Sequence, residues 1–239
     1  MRIALTNDDG IRGEGLRLLL DWASRHGEVT VVAPKEEQSG KSHSIELHRP
    51  FEVLPVDMPG AVKAMSVDST PADCVRFALL GLEETFDLVI SGVNKGFNIG
   101  SDIMYSGTVG AAFEAAALGV PALAVSTDPR SFDSAREHLE TVWQFIEENR
   151  LLQRNLAYNI NIPLEAKGIR VTHQGGPYFT DAFEPRGQNL YMPMGRCIYE
   201  DKGDDTLDTD AVMHGYISVT PLTLIRTDMN VYEELKGLS

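Results

Sequence analysis

Through the first two-thirds of this chain, apolar positions alternate between short continuous runs and helical spacing. Residues 1–5 are apolar apart from Arg2 and read as a buried strand; Leu16, Leu19, Leu20 and Ala23 then recur at helical spacing until Gly27, and residues 28–33 form a second strand. Strand, helix, strand in that order is a βαβ unit, which requires a parallel sheet and a right-handed crossover. Residues 45–54 alternate like a strand pair broken near Arg49 and Pro50, and residues 61–67 read as another short strand. Thr70, Pro71 and Asp73 mark a helix start, with Val75, Leu79 and Leu82 as its buried side. An apolar inner strand over 86–90 runs into a loop rich in glycine and asparagine over 91–100. A small-residue helix then extends from Tyr105-Ser106-Gly107-Thr108-Val109 to Gly119, followed by a strand over 122–126, a helix over 133–150 and a strand over 157–162.

Beyond Lys167 the alternation stops. Short β pieces at 169–173, 189–199 and 216–222 precede a terminal helix over 228–236. The pattern predicts an α/β fold: a three-layer α/β/α, Rossmann-like, mostly parallel sheet over residues 1–166. Residues 167–239 are expected to add a β-rich C-terminal arm and helix suited to contacts between subunits.

Composition narrows the partners. The 239 residues are 43% apolar, enough for a proper core, and the longest apolar stretch, 110–125, is interrupted by Glu114, Gly119 and Pro121, short of the roughly 20 residues a bilayer requires. The first strand is entered without a signal-like segment, and Cys74 and Cys197 alone make no disulfide framework, so a cytoplasmic protein with no membrane contact is expected. With 35 acidic against 21 basic residues the formal charge is -14, which argues against a nucleic-acid polymer as partner. The acidic run 200–205 reads most simply as a solvated loop.

Candidate chemistry sits at strand ends, where open parallel sheets bind ligands. The first strand opens into Asn7-Asp8-Asp9-Gly10 in place of the glycine-rich turn that cradles a pyrophosphate. Two carboxylates repel a phosphate unless a cation stands between, and hard oxygen ligands of this kind suit Mg, Mn or Ca. Gly40-Lys41-Ser42 is no phosphate-binding P-loop, because the earlier glycine of that motif would fall at Lys35; what remains is the hydroxyl of Ser39 beside Gly40. Asn94 offers a neutral carbonyl oxygen for a metal, and Asn98 an amide that can donate to a phosphoryl oxygen. The helix that starts near Gly107, with Ser106 or Thr108 as cap, presents unpaired amides to an anion. Taken singly, each feature also has a plain reading as a turn or a cap, and His43 reads as a loop histidine.

In combination these segments resemble the SurE family, the stationary-phase survival proteins. The resemblance rests on Asn7-Asp8-Asp9-Gly10, Ser39-Gly40, Thr70-Pro71-Ala72-Asp73-Cys74-Val75, the 91–100 loop, Tyr105-Ser106-Gly107-Thr108-Val109 and Val219-Thr220-Pro221-Leu222 in that order. It implies a metal-dependent phosphatase acting on nucleoside 5'-monophosphates, with 3'-nucleotides and short polyphosphate as side substrates. One divalent ion, Mg or Mn, would be held by Asp8, Asp9, Ser39 and Asn94, while Asn98, Ser106, Gly107 and Thr108 would face the phosphate. It further implies a homodimer or homotetramer that exchanges its C-terminal arm, although residues 204–210 are more acidic than that pattern leads one to expect. Asp8, Asp9 and Asn98 are the catalytic candidates. In-line attack by water is favoured; a carboxylate as nucleophile or base, and a module that senses nucleotides without hydrolysis, stay open as alternatives.

Overall fold

The computed structural model describes residues 1–238. Strand β1 (Arg2–Thr6), helix α1 (Glu14–Ala23) and β2 (Glu28–Pro34) form the expected βαβ unit, with β1 and β2 paired in parallel. The chain continues through β3 (Val53–Pro55), β4 (Lys63–Val67), α2 (Pro71–Arg76), β5 (Leu88–Lys95), α3 (Gly107–Ala117), β6 (Ala122–Thr127), α4 (Asp133–Glu148) and β7 (Ala157–Ile162). It ends with β8 (Ile169–Val171), β9 (Phe179–Pro185), β10 (Tyr191–Cys197), α5 (Asp208–Met213), β11 (Ile217–Leu222) and α6 (Met229–Leu235).

Nine strands build one sheet in the order β3-β4-β2-β1-β5-β6-β7-β11-β8, parallel from β4 to β7, with β3 antiparallel to β4, β11 antiparallel to β7, and β8 parallel to β11. Both faces are covered. Ile3 and Leu5 point into a core shared with Leu16, Trp22, Leu139 and Trp143 of α1 and α4, while Ala4, between them, packs with Val75, Val109 and Ala112 of α2 and α3 on the other side. That alternation is why β1 reads as continuously apolar: each face of a parallel sheet is buried under helices. The fold is thus the expected three-layer α/β/α arrangement, and β9 pairs with β10 as a separate hairpin. Among the described residues no helix is long and apolar enough to cross a membrane.

Four details depart from the expected pattern. Residues 45–52 form no strand: Leu47 is 71% exposed, and the Glu46 carboxylate accepts from the amides of His48 and Arg49 at 2.9 and 3.2 Å, closing a turn where a ladder was expected. The inner strand does not stop at 90; β5 continues to Lys95 past a bulge between Ser91 and Asn94, where the Gly92–Val93 peptide is cis. The start of α1 packs directly on this bulge, an approach that Gly15 permits because a Cβ there would collide with the Val93 carbonyl. After α2 the backbone widens into a π-turn over Phe77–Gly81, which turns Ala78 inward and leaves Leu79 and Leu82 half-buried. Finally β9 and α5 carry no strong periodic signal, because β9 is almost wholly exposed and α5 is six residues long.

Candidate active site

The carboxyl ends of β1, β5, β6 and β7 lie side by side, and the loops that leave them carry the polar residues. Asp8 lies two residues past the end of β1 and is only 5% exposed. Its Oδ1 accepts from the Thr108 hydroxyl at 2.7 Å, and Gly107 is packed so tightly that a Cβ there would stand 3.0 Å from the Asp8 Cβ. Burial pushes the Asp8 carboxyl above its ordinary range, and the Thr108 hydrogen bond only partly opposes this. Ser106 is the cap of α3, its Oγ accepting from the Val109 amide at 3.1 Å. The positive end of α3 is therefore aimed at the first carboxylate.

Asp9 is half-buried and, among the described residues, makes no hydrogen bond within the chain. Its carboxyl is pushed up to about 6, first by burial, then by the negative charges of Asp8 and Glu37, with Lys95 opposing. Two neighbouring carboxylates, one deeply buried and both held above their ordinary range, are a donor set in deficit of positive charge. Hard oxygen donors in that condition fit a small divalent cation.

The remaining sequence-predicted ligands converge less completely. Gln38 donates its amide to the Asp8 carbonyl at 2.7 Å, which ties the 35–44 loop to the pair, but the exposed Ser39 hydroxyl donates to Glu37 Oε1 at 2.7 Å. Asn94 uses its Nδ2 on the Gly96 carbonyl at 2.7 Å, which leaves Oδ1 as the side chain's acceptor. Asn98 gives one amide hydrogen to Ser126 Oγ at 2.8 Å, and its second remains for another acceptor.

Several supporting residues carried no functional signal in the sequence. Asn159 and Asn161, buried in β7, donate to the Asn98 carbonyl at 2.7 and 2.9 Å, and Asn161 Oδ1 accepts the Asn98 amide at 2.8 Å. Two asparagines at strand spacing inside a fully buried strand were the available clue, since a buried amide must find partners. Asp208 of α5 accepts the Gly100 amide at 3.0 Å and the Gly175 amide at 2.8 Å, fixing the far end of the same loop. His43 is a structural clamp: its Nε2 lies 2.6 Å from Glu114 Oε2 on α3, whose other oxygen accepts from Arg76 at 2.9 Å. His43 is the first cause holding the Glu114 carboxyl below its ordinary range.

The family model described as "Survival protein SurE" matches residues 3–181. A protein of Pelotomaculum thermopropionicum named 5'-nucleotidase SurE is 41% identical over 252 residues, covering 100% of this chain and 95% of its own. One of the same name from Caldanaerobacter subterraneus subsp. tengcongensis is 39% identical over 250 residues, covering 99% of this chain and 96% of its own. A crystal structure of the SurE protein from Aquifex aeolicus superimposes with a TM-score of 0.80 at 32% identity, covering 100% of this chain and 99% of that one. The chain belongs to the survival protein SurE family.

Proposed function

We propose that this chain is a divalent-metal-dependent phosphatase that hydrolyses nucleoside 5'-monophosphates to nucleoside and phosphate, with 3'-nucleotides and short polyphosphate as further substrates. The observation that carries the reading is the face-to-face placement of the Asp8–Asp9 pair and the start of α3, an acceptor set for a cation against a donor set for an anion. The activity itself is the one named for the relatives that match nearly the whole chain.

Asp8, Asp9, Ser39 and Asn94 would hold the ion, Mg or Mn, with Ser39 turning away from Glu37 to do so. When bound, the ion supplies positive charge beside the phosphoryl oxygens and acidity to a neighbouring water. The chain's own groups do the rest. The Gly107 amide, the Ser106 hydroxyl and the polar end of α3 at Thr108 receive the phosphoryl oxygens. The free amide hydrogen of Asn98, held in place by Asn159 and Asn161, donates to them most strongly as charge gathers during in-line displacement. Water is the nucleophile in this reading. Asp8 is locked by Thr108, so Asp9 is the carboxylate freer to take the proton. The exposed apolar hairpin β9–β10 and the uncovered helix α6 support a homodimer or homotetramer built through the C-terminal arm.

The test is release of inorganic phosphate from AMP by the purified protein with Mg or Mn, abolished by EDTA and restored by the ion. Binding of AMP without any release would overturn hydrolysis and leave a nucleotide-sensing module.

A further inference from the structure

A cleft of about 680 Å³ opens beyond Gly96 and Phe97, over the ends of β6 and β7. This volume lies in the roughly 300–1,000 Å³ range of small-molecule sites. β1, β5, β6 and β7 are successive neighbours in the sheet, so the cleft's floor stands about two strand spacings, roughly 10 Å, from the end of β1. That distance matches the reach of the organic part of a phosphate ester whose phosphorus is beside Asp8 and Asp9.

The walls are aromatic. Phe97 enters from the loop between Asn94 and Asn98, and Tyr178 and Phe179 enter from the base of the hairpin, edge to face with centroids 4.7 Å apart. The amides of Tyr178 and Phe179 both donate to Asp102 Oδ2, at 3.2 and 2.7 Å, which pins the hairpin's base to the turn leading into α3. Met213 completes the apolar side. The positive charges on the rim are engaged inside the chain. Arg130 grips Asp128 through Nε and Nη2 at 2.7 and 2.8 Å, and Lys167 donates to the His214 carbonyl at 2.9 Å. Glu165 adds a carboxylate at the mouth. With its positive charges engaged at the rim, such a lining welcomes a flat, uncharged ring that can stack.

We infer that this cleft is the nucleoside subsite, in which the base of the substrate stacks on Phe97 and Phe179. The inference rests on the phosphatase reading for the orientation of the ester, but its binding test does not require turnover. Adenosine, which lacks the phosphate, should bind the full chain in a calorimetric titration. Phe97→Ala and Phe179→Ala should each weaken that binding about tenfold, the size of a lost base–aromatic stack. In hydrolysis assays with Mg or Mn, the ratio of kcat/KM for AMP to that for ribose 5-phosphate, which has no base, should fall by about the same factor in both variants. Wild-type adenosine affinity in both variants, an equal loss on AMP and ribose 5-phosphate, or no adenosine binding by the parent protein overturns the inference. Absence of phosphate release from either ester would instead overturn the phosphatase reading, and the adenosine titration would still decide the subsite. Phe179 is exposed on the hairpin, so its variant tests the idea without threatening the core.

Discussion

The carboxyl edge of the sheet and the β9–β10 hairpin break the ordinary distribution of polar and apolar groups in opposite directions. At the sheet edge Asn7, Asp8, Asn159 and Asn161 are buried, and Oδ1 of Asn7 and of Asn159 has no hydrogen-bond partner among the described residues. On the hairpin Phe183 and Tyr191 are 67% and 66% exposed, among other large apolar side chains. Buried polar groups cost stability unless something completes them, and contiguous exposed apolar surface in a folded protein marks an interface. In the proposed reading the first region serves a cation and an anion, and the second another copy of the chain. The two should therefore respond to different perturbations.

The largest effect belongs to the first region. Asp9→Asn removes one charge of the pair while keeping the shape of the side chain. Turnover of AMP should fall by about 10³-fold, the upper range for removing one preorganised electrostatic element, with the circular dichroism spectrum retained. The same variant carries a pH signature. The folded carboxyl of Asp9 is raised to about 6 from an ordinary value of 3.8, so its contribution to stability is present below about 4 and is lost as pH rises through about 6. Without metal, Asp9→Asn should accordingly melt at a higher temperature than the parent at pH 7, and this advantage should vanish by pH 4. A lower melting temperature for the variant at pH 7 without metal would contradict the electrostatic picture.

A smaller effect is expected one layer behind. Asn161→Leu removes two of the hydrogen bonds that hold the Asn98 backbone. Activity should drop about 10- to 100-fold, as for other supporting residues that orient a site, while manganese affinity measured by calorimetry stays near the parent value. Loss of metal binding in that variant would show that the two halves of the edge are a single unit. Smallest of all on catalysis should be the hairpin: Phe183→Asp together with Tyr191→Asp should shift sedimentation towards the monomer. Phosphate release per chain should hold within a few-fold, about 1 kcal/mol in barrier. A large loss of activity would mean that the partner completes the site.

How much of this could be read from the sequence follows from how local each feature is. Asp8 and Asp9 were legible because they are adjacent in the chain and end a strand, so their position needs no tertiary knowledge. The start of α3 was legible for the same reason, through Ser106 and the small residues behind it. The role of Asn159 and Asn161 was not, because it depends on β7 lying two places from β5 in the sheet, which only the topology decides. The extension of β5 past Ser91 was hidden by Gly92, which reads as a loop residue and serves as a bulge. Strand β9 was hidden because the hairpin is exposed on both faces and shows no alternation to detect. Ser39 could be named but not aimed, since its hydroxyl turns on a single torsion and here rests on Glu37.

The central claim is that Asp8 and Asp9 exist to hold a cation that makes this acidic edge receptive to a phosphate. Anomalous diffraction from crystals soaked in manganese chloride tests it most directly. The account predicts one strong peak within ligand distance of Asp8, Asp9 and Asn94, with Ser39 rotated away from Glu37. A map with no peak there, and both carboxylates still facing Thr108 and solvent, would contradict it.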